Sequence, residues 1–273
     1  MIDIMSFVVV GFFVSILAYL LGLGGGVLIV PVLTLLFGYP IHVAVATSLI
    51  SIIAGSVLLA SVNLKKDMVN VPLAIVMETV TIAGAVAGSW LSVSVTERPL
   101  YAFFSFITLF TAYLMWKKSV EAEDHEVKEE EADGFYDSSY TDLVRGRRIF
   151  YKVRNLRYAM GASSFAGFIS GMLGVGGGFL KVPAMNILSG VPLKVATATS
   201  SFMVGFTAAA GSVIYISKGY VDPVVASAII IGVLGGTKFA TTKLSKLTDR
   251  RIKNIFVVFL LIIALQMFIK AVS

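Results

Sequence analysis

The sequence predicts an all-α, polytopic membrane protein assembled from two tandem copies of one helical unit. Three features carry that prediction. Apolar segments recur along the chain, charge is scarce, and the sequence matches itself without a gap when shifted by 152 residues. Of the 273 residues, 57% are hydrophobic and 14% charged, whereas a soluble domain keeps about 25% charged residues to cover its surface. Mean hydropathy is +0.90. Lipid is therefore the expected solvent for most of the surface.

The net charge of +6 does not point to nucleic acid. The basic residues sit in short clusters between apolar runs, the pattern of loops beside anionic lipid. The chain has no cysteine, which excludes disulfides and thiolate metal sites. Its two histidines lie far apart in the sequence, so neither a metal site nor any cofactor is expected.

The first copy covers residues 1–121 and the second 153–273. Gly22-Leu-Gly-Gly-Gly26-Val-Leu-Ile-Val-Pro31 returns as Gly174-Val-Gly-Gly-Gly178-Phe-Leu-Lys-Val-Pro183. The match runs on through Gly38 and Gly190, Pro40 and Pro192, and Ala46-Thr47-Ser48 and Ala198-Thr199-Ser200. Between Gly22 and Ser48, fifteen of twenty-seven positions are identical in the second copy. A repeat fixes the architecture before any single element does.

Each copy contains five apolar elements. The first, residues 4–22, lacks a basic leader and a small-residue cleavage site, so it is expected to be a mature membrane helix and not a signal peptide. The second, 26–37, has about a dozen residues and reaches roughly 18 Å at 1.5 Å per residue, short of a 30 Å hydrocarbon layer. It is expected to be a half-helix or one arm of a re-entrant hairpin. The third to fifth elements, 41–62, 70–94 and 99–116, are near spanning length. The second copy repeats the series at 158–174, 178–189, 193–216, 221–246 and 252–271.

Residues 122–152 join the copies. With Glu121, this stretch holds ten of the sixteen acidic residues. It is too polar to span a bilayer and reads as a solvated, cytoplasmic linker in loop conformation. If the short elements count as return passes, the copies are inverted. Ten basic residues outside the linker then face the cytoplasm, and Arg98, Lys218 and Lys270 lie outside with both termini. A parallel arrangement splits the same residues six to seven. The positive-inside rule favours inversion, a common plan among secondary transporters.

Candidate site residues follow from the interruptions. Glycine permits close backbone approach and positive φ, and Pro31 and Pro183 each remove a backbone donor. Broken backbone at membrane depth is tolerated where protein or a water-filled cavity satisfies it. The starts of the short helices, at Gly24, Gly25 and Gly26 and at Gly176, Gly177 and Gly178, therefore read as anion-binding backbone; helix packing is the competing account. Gly84-x-x-x-Gly88 and Gly167-x-x-x-Gly171 read as packing sites. The hydroxyls of Thr47, Ser48, Thr199, Ser200 and Ser201 either donate to an anionic oxygen or bond back to their own helices. Charge inside apolar segments suggests function. Lys181, in the place of Ile29, either neutralises an anion or snorkels to the headgroups. Glu78 is a candidate coupling carboxylate, or it pairs with a basic residue such as Lys238.

The pair of Gly-x-Gly-Gly-Gly-x-x-x-Val-Pro motifs, each followed by Ala-Thr-Ser, resembles the sulfite exporter TauE/SafE family of membrane permeases. The resemblance covers both halves. It implies movement of a sulfur-containing oxyanion, such as sulfite or an organosulfonate, across the cytoplasmic (inner) membrane. No motif of an intramembrane enzyme is present. The expected function is secondary transport of a small anion by alternating access. An anion channel of the same fold, or a membrane sensor or assembly protein without flux, is the alternative. The expected partners are the anionic substrate, the lipid bilayer and, compatible with the fold, a second copy in a homodimer.

Overall fold

The computed structural model describes residues 4–21, 26–116, 134–142, 146–244 and 250–272. Ten α-helices and one two-stranded sheet lie among them. The first group is α1 (Ile4–Leu21), α2 (Gly26–Pro31), α3 (Ile41–Leu64), α4 (Val71–Ser94) and α5 (Glu97–Trp116). Strands β1 (Ser138–Asp142) and β2 (Arg147–Tyr151) follow. The second group is α6 (Leu156–Leu173), α7 (Gly178–Pro183), α8 (Leu193–Ser217), α9 (Pro223–Lys243) and α10 (Arg250–Val272).

Four of these, α3, α4, α8 and α9, are long and apolar enough to cross a membrane. Their starts are marked in the sequence. Pro40 and Pro192 precede α3 and α8 with φ −55° and −53°. Asn70 caps α4 by accepting from the Leu73 amide, and Asp222 caps α9 by accepting from the Val224 and Val225 amides. These caps satisfy amides that have no partner within the helix. Large apolar side chains, among them Phe13, Trp90, Phe106, Val213 and Ile231, are exposed on the outside, as lipid contact requires.

The short elements are short apolar helices. Each keeps six α-helical residues and then widens into a π-helical segment, Val32–Leu36 after α2 and Ala184–Leu188 after α7. The proline ends the α-helical part in both. Each segment then turns at a glycine in the left-handed region, Gly38 at φ +71° and Gly190 at φ +69°. The turns close with the same bond, Tyr39 N–H to the Leu33 carbonyl and Val191 N–H to the Met185 carbonyl.

Close backbone contact sets the helix order. α4 packs on α6, α1 on α9, α5 on α10 and α3 on α8. A Cβ added at Gly84 would meet the Ser164 carbonyl, at Gly88 that of Phe168, at Gly167 that of Thr81, and at Gly171 that of Ala85. The two Gly-x-x-x-Gly motifs therefore pack against each other's helices, as expected, and their rising numbers make α4 and α6 parallel. Gly232 and Gly236 lie on the Val8 and Phe12 carbonyls in the same sense, so α1 and α9 are also parallel. By contrast, Gly205 meets Ser56 and Gly211 meets Leu49. Numbers rise on one helix as they fall on the other, so α3 and α8 cross antiparallel.

The linker differs from the loop that its acidity suggested. Its described part contains the β1–β2 hairpin, registered from Ser138 opposite Tyr151 to Asp142 opposite Arg147. Tyr140, Ile149 and Tyr151 are buried and share a core with Leu73, Met77, Met185 and Met203 from the helices. Burying such side chains stabilises by roughly 1.5–3 kcal/mol each, enough to hold a short hairpin that would be marginal alone. Asn70 ties it down, its Nδ2 donating to the Tyr136 carbonyl at 2.8 Å and the Tyr151 hydroxyl at 3.0 Å.

Candidate functional site

The interior of the bundle contains an ion pair. Lys181, on α7, is fully buried, and its Nζ lies 3.2 Å from Glu78 Oε2 on α4. The ammonium also donates to Thr207 Oγ1 on α8 at 2.6 Å. The Thr207 hydroxyl in turn donates to Glu78 Oε1. Each oxygen of the carboxylate thus has a donor, and the ammonium has two acceptors. Three helices contribute one group each. Lys181 does not snorkel; its ammonium turns inward. The partner of Glu78 is Lys181, not Lys238, whose side chain is exposed on α9.

Local structure explains why Lys181 points this way. Gly176 and Gly177 have φ of +84° and +68°, values that side chains rarely adopt. This double left-handed step lets the chain reverse between α6 and α7. Lys181 falls one turn later, where its amide bonds to the Gly177 carbonyl at 3.1 Å. Glu78 lies about two turns into α4, and Thr207 near the middle of α8. The pair therefore sits deep between helix ends.

The glycine motifs meet in part. Gly26 lies against the Gly174 carbonyl so closely that a Cβ would overlap it. Ser48 donates to the same carbonyl at 2.7 Å. The start of α2, the second turn of α3 and the end of α6 thus converge on one atom. Gly24 and Gly25 lie outside the described residues. Gly178 begins α7 and is buried.

The hydroxyl pairs separate. Along the antiparallel α3–α8 crossing, Leu49 is level with Gly211 and Ser56 with Gly205, which sets Thr47 and Ser200 about 20 Å apart at 1.5 Å per residue. One small anion touches Thr47-Ser48 or Thr199-Ser200 but not both together, with Lys181 and Thr207 between them. Thr199 Oγ1 accepts from the Asn70 amide at 3.1 Å. Ser201 bonds back to the Thr197 carbonyl at 2.8 Å, the self-satisfied option. Thr47 Oγ1 and Ser200 Oγ are buried and make no hydrogen bond among the described residues. Thr207 escaped the sequence reading because it has no counterpart in the repeat: a shift of 152 places Gly55 there.

Among the described residues no cluster of histidine and carboxylate could hold a metal ion. The arrangement offers hydroxyl donors, one ammonium and one carboxylate in an apolar surround, which suits a small anion and a proton.

A family model described as sulfite exporter TauE/SafE matches residues 7–267. The probable membrane transporter protein YunE of Bacillus subtilis is 30% identical, over 96% of this chain and 97% of its own length. The probable membrane transporter protein MJ0441 of Methanocaldococcus jannaschii is 23% identical, over 90% of this chain and 88% of its own. No solved structure matches.

Proposed function

The chain belongs to the sulfite exporter TauE/SafE family, a family of multi-pass membrane transporters and not of enzymes, and from that premise we propose that it carries a small sulfur-containing oxyanion by alternating access. The observation that carries this reading is the inward-facing Lys181 ammonium. It is a fully buried cation, one helical turn from a glycine motif, with the Thr207 hydroxyl at 2.6 Å. A sulfite or sulfonate group presents three oxygens around one sulfur, which suits an ammonium and converging hydroxyls.

In this reading Lys181 and Thr207 form the central site. Thr47 and Ser48 flank it toward one face, and Thr199 and Ser200 toward the other. The unpartnered hydroxyls of Thr47 and Ser200 are stations along the path. The Gly26–Gly178 backbones shape the site more than they charge it, because a six-residue helix carries a short dipole. The two copies are inverted about an axis through the α3–α8 crossing. Support for inversion comes from that antiparallel crossing and from the parallel α1–α9 and α4–α6 pairs, in which the first helix of one copy lies on the fourth of the other. Rocking one copy against the other then opens the Lys181 site to each face in turn. The positive-inside rule puts the linker hairpin in the cytoplasm and both termini outside.

The test is counterflow in liposomes. Labelled methanesulfonate is loaded on one side, with sulfite, sulfate, sulfoacetate and acetate as competitors. Saturable counterflow that the sulfur oxyanions compete for and acetate does not is the expected result. Conductive anion leak without counterflow would replace the carrier by a channel. Neither signal from folded protein would remove the case for oxyanion transport.

A further inference from the structure

Charge balance in the buried cluster limits how an anion reaches Lys181. As the structure stands, one ammonium faces one carboxylate at 3.2 Å and the cluster is neutral. An anion placed on Lys181 beside an ionised Glu78 would leave two negative charges sharing one cation in a low-dielectric interior, where like charges a few ångströms apart repel strongly. Among the described residues no other lysine or arginine is buried. Among the described buried residues, the remaining basic group is His42, whose Nε2 bonds to the Ser92 carbonyl at 3.0 Å. Lys194 and Lys238 are exposed.

We propose that the anion takes the place of Glu78 on Lys181 as Glu78 takes up a proton, so that each anion crosses with one proton. This deepens the anion-carrier reading and rests on it. The step balances. The ammonium–carboxylate pair, a monovalent anion and one proton go to an ammonium–anion pair and a neutral carboxylic acid. No covalent bond to substrate forms or breaks, and the cluster is neutral before and after. Empty and loaded carriers therefore both cross the apolar barrier, while a carrier holding anion without proton, or proton without anion, is charged and does not.

The groups facing Glu78 can support both states. On α8, Thr207 donates to Oε1 when the carboxylate is ionised and can accept from the acid when it is not. On α4 itself, Thr81 is one turn away and is engaged with the Met77 carbonyl and Ser163 of α6. From the hairpin, Tyr151 is bonded to Asn70. None of these supplies a second charge, so the exchange is confined to Lys181 and Glu78.

The experiment uses the full chain in liposomes, with a pH-sensitive dye inside and potassium-valinomycin to clamp the voltage. Methanesulfonate is the probe because a strong-acid sulfonate holds its charge across the assay range, so any coupled proton rides on the protein. In the wild type, an inward proton gradient is expected to drive accumulation with one proton entering per anion. Glu78→Gln mimics the protonated acid. It is expected to keep counterflow, in which the carrier returns loaded, and to lose gradient-driven accumulation, which needs the empty carrier to return. Wild-type counterflow indifferent to the gradient would overturn proton coupling while leaving anion transport intact. Gradient-driven accumulation in Glu78→Gln, or loss of counterflow in that variant while folded, would overturn the role of Glu78. Absence of any wild-type counterflow would instead strike the anion-carrier reading.

Discussion

Neutralising one member of the Lys181–Glu78 pair should destabilise the fold far more than neutralising both. At 3.2 Å the gross attraction is about 5 kcal/mol with an effective dielectric near 20. Most of that offsets the cost of removing two charges from water, so the pair as a unit contributes little. Lys181→Met leaves Glu78 with one neutral donor, Thr207, and Glu78→Gln leaves a fully buried ammonium without a counter-charge. Each single change is expected to cost about 3–5 kcal/mol, the range for an orphaned buried charge. The double variant Lys181→Met/Glu78→Gln removes both charges and keeps an amide oxygen for the Thr207 hydroxyl, so it should lie within about 1–2 kcal/mol of wild type. Equilibrium unfolding of the four proteins in detergent micelles closes the cycle. The expected coupling is about 4 kcal/mol or more. Costs that simply add in the double variant would refute an ion pair in the folded protein.

Further outcomes follow from the same contacts. Gly84→Leu or Gly88→Leu should abolish folded protein in detergent chromatography, since even a Cβ meets α6 backbone, whereas Gly161→Leu, with open space beside it, should be tolerated. Asn70→Ala should cost about 1–2 kcal/mol from the lost cap alone. Because Asn70 Nδ2 also holds Tyr136 and Tyr151, hydrogen exchange should rise across the two strands, Ser138–Asp142 and Arg147–Tyr151. With no native cysteine in the chain, single cysteines at Lys66 and Lys218, equivalent loop positions, should label from opposite faces of the membrane; labelling from one face would contradict inversion.

Much of this fold could be read in the sequence because the repeat and the apolar runs are local signals. The eight longer helices lie at segments marked by apolar length, and the two short ones at segments marked by brevity, glycine and proline. Gly84, Gly88, Gly167 and Gly171 announced close packing because small residues at four-residue spacing occupy one helix face. The hairpin was not legible. Its acidic surround hid a short run, Arg147-Arg-Ile-Phe-Tyr151, whose burial depends on the ends of α4, α7 and α8 (a tertiary effect that pattern cannot supply). The partner of Glu78 was missed for a related reason. Lys181 and Glu78 are 103 residues apart, and only the packing of α4 against α6 and α8 joins them. Thr207 had no repeat signature at all. Polar character mid-helix was its one available signal, and many threonines share it.

The central claim is that a small oxyanion sits on Lys181 inside the bundle. Its most direct test is ligand-dependent stabilisation of purified protein by sulfite and by methanesulfonate, compared between wild type and the Lys181→Met/Glu78→Gln variant, whose fold should survive. At a hundred times the dissociation constant a bound anion stabilises the wild type by about 2.7 kcal/mol, and the variant should show no saturable shift. Equal stabilisation of both proteins, or of neither, would contradict a site on Lys181.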